Sequence, residues 1–398
     1  MKIENKEWSF LISICSNFVS ENINLNKVFS SFKKEFDWTV FYSLAIDNMV
    51  IAIVYNELYK LNDIYVPDII WDKMKLHSKA ILNKNLIQTN ELTKLTKILN
   101  ANKLEFVPYK GVTLSHFIYQ NLGNRPSLDL DIMIDVKKIN KVKNILKINN
   151  YIISDNLSDQ LFKSLLKNSC EISIKKKVAN QLINIDTHWR ISKLQLQMNV
   201  GIVEMKKESK IVDFYGTKIN FLNPEAQFII LAMHHYGKDE MGLKQIIDLG
   251  MVIMKYKEEL NWTKLIVLSK KWKVFKLTLY SLNICQEILK INLPKQISIL
   301  INKNCDEKFI TKSLNRIHSS KGVMDYNGKN MFIRRIKLHL KVRDNFQIIL
   351  KIIYLHVVAF FTPIEEDFKN PKKVSTLQWY FTFFKKPFLL YAKFYIKS

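Results

Sequence analysis

Two aspartates one residue apart, Asp129-Leu130-Asp131, run directly into Ile132-Met133-Ile134, and no other stretch constrains this chain as strongly. A strand has period two, so side chains at i and i+2 leave the same face roughly 7 Å apart. A strand over 128–136 therefore puts Asp129, Asp131 and Met133 on one side and Leu130, Ile132 and Ile134 on the other. Two carboxylates this close repel each other, and keeping both ionised calls for a cation between them. Oxygen ligands suit a hard divalent ion, Mg2+ or Mn2+, which in turn invites a triphosphate. Repulsion alone makes Asp129→Asn and Asp131→Asn stabilising in the metal-free protein.

The surroundings read as alternating strand and helix. Phe106-Val107 with Pro108 is a short strand ending at Lys110-Gly111, and Gly111 to Gln120 is a helix whose first amides face a phosphate. Gly123-Asn124-Arg125-Pro126 is a turn, and Lys137 to Ile148 is a second helix with apolar positions at Ile139, Val142, Ile145 and Leu146. Beyond Tyr151 to Ser154 and a helix near Asp159 to Leu166 come two strand-like runs, Cys170 to Ile174 and Leu182 to His188. In the second run Leu182, Asn184, Asp186 and His188 share a face, so Asp186 supplies a third carboxylate. Lys175-Lys176-Lys177 and Asn180 read as the solvated tip of a hairpin. Lys110 and Arg125 are the candidates for a triphosphate, lysine as a point charge and arginine as a two-pronged fork.

Only nine glycines and eight prolines in 398 residues leave few tight turns, and helix should dominate. Residues 1–103 carry helical stripes such as Trp38, Phe41, Tyr42, Ala45 and a leucine-rich run from Pro67 to Asn100. The pattern is helical again after Pro224: Ala226 to Tyr236, Gly242 to Tyr256, Trp262 to Trp272 and Phe275 to Ile291. The expected fold class is α+β, with a small mixed β-sheet core at 104–222 between a helical N-terminal region (1–103) and a mostly helical C-terminal region (223–398).

A formal charge of +25 attracts nucleic acid, anionic lipid or nucleotide phosphates, although lysines spread along the whole chain also fit a simple compositional drift. Cys15, Cys170, Cys285 and Cys305 lack C-x-x-C spacing and read as free core thiols. The start of the chain has no signal-peptide core and no run reaches the roughly 18 apolar residues of a membrane span, so a cytoplasmic protein is expected. Gly322, Asn327 and Gly328 mark a loop near 318–330, ahead of a basic stretch from Arg334-Arg335 to Arg343. Ile348 to Phe361 and the aromatic Trp379 to Phe384 then fit two pictures, a helix lying on a membrane surface or a helix buried in an α domain.

Lys110-Gly111, Gly123-x-Arg125-Pro126, Asp129-x-Asp131 and Ile183-Asn184-Ile185-Asp186-Thr187-His188-Trp189 together resemble the uncharacterised nucleotidyltransferase family of bacteria, a branch of the polymerase-beta-like nucleotidyltransferase superfamily. The likeness extends weakly through His234-His235 and Lys244 to Leu249. It implies a nucleotidyltransferase core and Mg2+-dependent (or Mn2+-dependent) transfer of a nucleoside monophosphate from an NTP to an acceptor hydroxyl on a peptide, protein, sugar, small molecule or RNA end. Asp129, Asp131 and Asp186 would hold the metal and carry catalysis, with Lys110, Gly111 and Arg125 on the nucleotide. His188 shares the face of Asp186, where it touches acceptor or carboxylate, or is simply structural. His234, His235, Lys244 and Asp248 are raised only by the resemblance: the two histidines are not expected to face one cavity, and Lys244 with Asp248 has the spacing of a surface ion pair. Superfamily members carry a Gly-Ser pair before the helix, where this chain has Lys110-Gly111-Val112-Thr113. That departure favours a rival reading, a catalytically silent protein of the same fold that binds nucleic acid or a partner.

Overall fold

A computed structural model describes residues 6–32, 36–61, 63–153, 157–178, 181–198, 200–237, 242–318 and 340–395. The chain opens with helices α1 (Lys6–Ser20), α2 (Leu25–Ser30), α3 (Trp38–Asp47), α4 (Ile51–Tyr59) and the long α5 (Asp68–Ala101). Asn24 and Asp37 start α2 and α3 by accepting backbone N–H bonds from the first turn, the groups a helix cannot satisfy internally.

Next comes β1 (Phe106–Pro108), the short α6 (Val112–Phe117), β2 (Leu130–Ile134), α7 (Ile139–Ile148), β3 (Ile152–Ile153), α8 (Asp159–Asn168), β4 (Glu171–Val178) and β5 (Gln181–His188). These strands form one mixed sheet in the order β1-β2-β5-β4-β3, in which only the β2–β5 pair is parallel. The fold is α+β. Lys175, Lys176 and Lys177 lie within β4, paired with Asn184, Ile183 and Leu182, and are not at the hairpin tip expected from their charge. Lys175 and Lys177 are exposed, while the half-buried Lys176 donates to the Asn149 carbonyl (2.7 Å) and the Asn150 carbonyl (3.2 Å).

After α9 (Ile202–Lys207), a hairpin of β6 (Ser209–Phe214) and β7 (Thr217–Leu222) was not legible as such in the sequence. It turns on Tyr215 and Gly216, both at positive φ (49° and 75°), the backbone that suits a two-residue hairpin turn. Helices α10 (Pro224–Gly237), α11 (Leu243–Lys255), α12 (Trp262–Lys271), α13 (Phe275–Leu289), α14 (Lys295–Asn304) and α15 (Glu307–His318) follow, and the described chain ends with helices Phe346–Phe361 and Thr376–Tyr395. The expected loop near 318–330 and the Arg334-Arg335 pair lie outside the described residues, apart from His318.

Two hydrophobic clusters position the site. The larger joins α1, α3 and α4 to α10, α11 and α13, so the helices before and after the sheet share one core. The smaller packs Leu130, Ile132, Ile134, Ile174, Ile183 and Ile185 from one face of the sheet against Leu92, Leu95 and Leu99 of α5 and Leu146 of α7. That apolar face fixes the pleat. The alternate residues of β2 and β5 are thereby turned to the opposite face, toward α10.

Candidate active site

The strand begins two residues later than the sequence pattern suggests, so Asp129 sits just before β2 and Asp131 within it. Side-chain bonding anchors the approach to the strand. Ser127 Oγ donates to the Asp129 carbonyl (2.9 Å), while Asn85 on α5 donates from Nδ2 to the Arg125 carbonyl (2.7 Å) and accepts from the Ser127 amide (3.2 Å). Gly111 has φ of 69°, and a Cβ there would come within 3.0 Å of the Asp129 carbonyl oxygen. Only glycine allows the Lys110-Gly111 turn to lie this close to the aspartate segment.

Parallel pairing of β2 with β5 sets Asp131 beside Asp186 and Met133 beside His188, and antiparallel pairing of β4 sets Glu171 beside His188. Neighbours in register share a face. Ligand-type atoms of Asp131, Asp186 and His188 consequently lie within 4.8 Å of one another, and so do those of Cys170, Glu171 and His188.

Asp131 is buried, and its Oδ1 meets Lys110 Nζ at 2.5 Å and His188 Nε2 at 3.1 Å. His188 Nδ1 lies 3.0 Å from Glu171 Oε2, so the ring stands between two carboxylates. Burial alone would raise the Asp131 pKa, but Lys110 and His188 outweigh it and hold the carboxyl well below its usual range. His188 is shifted the other way: burial disfavours its charge, yet hydrogen bonding to Asp131 and its neighbours keeps the imidazolium well past its ordinary pKa. Asp186 is less fortunate. Burial and the nearby charges of Asp129, Asp131 and Glu171 push it up to about 6.

Lys110 also donates to His234 Nε2 on α10 (2.9 Å), which ties the turn to the helical region. Burial opposes its charge, and Asp131 with Asp129 more than compensates, so its pKa is raised. Lys110 thus serves as the counter-charge of Asp131.

Arg125 pairs with a carboxylate on α11. It is 4% exposed, and its Nε and Nη2 donate to Asp248 Oδ1 (2.6 Å) and Oδ2 (2.9 Å) on α11, while Nη1 donates to the Gly111 carbonyl (3.2 Å). Tyr119 adds a hydroxyl bond to Asp248 Oδ1 (2.7 Å). Burial works to raise the Asp248 pKa, but Arg125 holds it down at about 2. Asp248 is therefore a buried partner of Arg125, and the surface ion pair with Lys244 anticipated from spacing is not what positions it. Burial and the charge of Arg125 press the partly buried Lys244 down to about 7. His234 and His235 both turn toward this region. His235 Nε2 is 3.7 Å from Asp248 Oδ2, and burial lowers its pKa to about 3. Adjacent helical positions are about 100° apart, wide enough to miss a single cavity but not two neighbouring clusters.

A divalent ion fits the donors at Asp131. Its Oδ2 is fully buried and receives no hydrogen bond from the described residues, a costly condition for a carboxylate oxygen. The register-matched Asp186 supplies a second carboxylate beside it, and the Lys110-Gly111 turn leads from β1 into α6. Sequence reasoning missed Glu171, Asn85 and Tyr119. Asn85 alone left a local trace, a polar residue within the apolar spacing of α5.

Asp131 and Asp186 stand in register on adjacent strands of a small mixed sheet, with a glycine turn packed against the segment that leads into them. Residues 34–290 match the uncharacterised nucleotidyltransferase family, and the chain belongs to that family. Among solved structures it is similar to an antigenic nucleotidyltransferase-like protein from Paracoccidioides brasiliensis, with 14% identity over 52% of this chain and 93% of the other and a TM-score of 0.28. A search of curated proteins found no match.

Proposed function

We propose that this chain transfers a nucleoside monophosphate from an NTP to an acceptor hydroxyl on the sheet face that carries Asp131 and Asp186. The observation that carries the reading is the buried, unbonded Oδ2 of Asp131 with Asp186 beside it in register. Asp131 and Asp186, together with Asp129, would hold Mg2+ or Mn2+. The ion would supply neutralisation of the departing pyrophosphate and acidification of the acceptor hydroxyl.

The chain's own groups divide the remaining work. In the metal-free protein burial and the charges of Asp129, Asp131 and Glu171 push the Asp186 pKa up to about 6, so the carboxylate has most to gain from a cation bound beside it. His188 keeps Asp131 ionised and oriented. Lys110 neutralises Asp131 in the free protein and is the nearest cation to move onto a phosphate oxygen when the site fills. Arg125 is a positioning residue, because its fork is spent on Asp248 and the Gly111 carbonyl and so holds the turn on which Lys110 stands.

The test is incubation of the full chain with each α-32P-labelled NTP, Mg2+ or Mn2+, and a bacterial lysate, with Asp131→Asn as control. Transfer of label to an acceptor by the wild type and not by the variant supports the reading. Absence of both label transfer and nucleotide-induced thermal stabilisation would overturn it in favour of a silent binding protein.

A further inference from the structure

The helices Phe346–Phe361 and Thr376–Tyr395 take no part in the site described above. They pack on each other, on α8 and on the turn Leu194–Leu196, and Lys386 ties them together through the Thr362 carbonyl (2.7 Å) and Asp367 (2.7 Å). Ile352 on the inner side of the first helix is buried, as is Val374 just ahead of the second. Their outer sides are apolar and open. Leu350, Tyr354 and Val357 form one stripe at helical spacing, and Leu377, Phe381 and Phe384 form another, with Leu377 81% and Phe381 66% exposed. Of the two pictures that the sequence left open for this segment, full burial is therefore excluded.

Charge around these stripes indicates the occupant. Between 346 and 386 the exposed lysines are Lys351, Lys369, Lys372, Lys373 and Lys385, against exposed Glu365 and Glu366, since Asp367 and Lys386 neutralise each other. A groove of about 660 Å3 combines both features: Phe368, Val374, Leu377 and Phe381 line it with apolar surface, and Lys369 and Lys373 stand on it. An apolar slot with two ammonium groups has the chemistry of an anionic phospholipid, acyl chain below and phosphate above. Aromatic rings with basic flanks also suit the headgroup region of a bilayer. Among the described residues no helix is long and apolar enough to cross a membrane, so the contact is with a surface.

We propose that the exposed face of helices Phe346–Phe361 and Thr376–Tyr395 docks on an anionic phospholipid bilayer, with a lipid held at the Lys369/Lys373 groove. The experiment is sedimentation of the full chain with vesicles of phosphatidylcholine alone or with phosphatidylglycerol added. The wild type is expected to pellet with the phosphatidylglycerol vesicles, and less so as salt screens the attraction. Leu377→Ser with Phe381→Ser, both exposed, should cut that binding roughly tenfold at an unchanged melting temperature. Lys369→Glu with Lys373→Glu should abolish the preference for phosphatidylglycerol and leave weak binding to both vesicles. The proposal falls if the wild type pellets with neither vesicle or if both variants bind as it does. It falls equally if sedimentation velocity finds a dimer that the Leu377/Phe381 variant dissociates while vesicle binding is absent, because the face then belongs to a second copy.

Discussion

Asp131 and Asp186 are partners in the parallel β2–β5 register, yet only Asp131 has a counter-charge in contact, Lys110 Nζ at 2.5 Å. The two carboxylates therefore respond in opposite ways to neutralisation. Asp131→Asn strands Lys110 and the His188 imidazolium beside a neutral amide, and breaking a buried pair costs about 3 to 5 kcal/mol. The stabilisation that simple repulsion suggests for this substitution is not expected, because repulsion is outweighed by pairing. Asp186 has a folded pKa above its ordinary value, so its ionised form opposes folding at pH 8, and Asp186→Asn should leave the metal-free protein as stable or more so. Thermal melts of both variants in chelator at pH 8 check the split. Equal losses in both would mean the pair is a structural unit.

Lys110 fills the position of a cation on Asp131, and its removal should change how the protein responds to metal. In Lys110→Met the buried carboxylate loses its main counter-charge, so the metal-free variant should melt below wild type. Added Mg2+ or Mn2+ no longer competes with an ammonium, and ligand binding stabilises in proportion to the logarithm of its concentration over Kd. The rise in melting temperature with metal should thus be larger for the variant than for wild type. A smaller rise would place the ion away from Asp131.

The Arg125–Asp248 pair joins the turn before β2 to α11 across 123 positions of sequence. Arg125→Ala and Asp248→Ala should each destabilise by about 3 to 5 kcal/mol, since each leaves the other charge buried. The double variant should lose less than the sum, as residues in direct contact couple by about 0.5 to 3 kcal/mol. Urea titrations of the four proteins measure this. An Arg125→Ala protein of wild-type stability with weakened ATP binding would return the fork to the triphosphate.

That long-range pair also marks where sequence reading stopped. Period two in Asp129-Leu130-Asp131 and in Leu182 to His188 was enough to place Asp186 and His188 on one polar face and to anticipate an α+β chain with helices on both sides, because burial of the isoleucines at alternate positions dictates the other face. The start of β2 at Leu130 was not legible, since Ser127, Asn85 and Gly111 hold the preceding backbone through contacts that leave no periodicity. The partners of Lys110 and Arg125 were beyond reach for the same reason. A cation near a carboxylate motif reads equally as a phosphate ligand and as a counter-ion, and only the tertiary fold brings Asp248 to the guanidinium. Glu171 escaped notice because its role depends on the β4–β5 register, which the misread lysine run obscured.

Acid should release the Arg125–Asp248 pair in a defined window. Asp248 has a folded pKa of about 2 against an ordinary 3.8, so its contribution to stability is fully present above pH 4 and is lost as pH falls toward 2. Just under two units at about 1.4 kcal/mol each makes this roughly 2 to 3 kcal/mol. Asp248→Asn has no such group to titrate. It should be less stable than wild type at pH 5, and the gap should narrow by roughly that amount between pH 4 and pH 2 as the wild-type carboxyl takes up its proton. Urea midpoints of the two proteins, measured at half-unit steps from pH 5 downward, follow the gap directly. A gap that stays constant through pH 2 would mean that Asp248 has the same pKa folded and unfolded and gains nothing from Arg125.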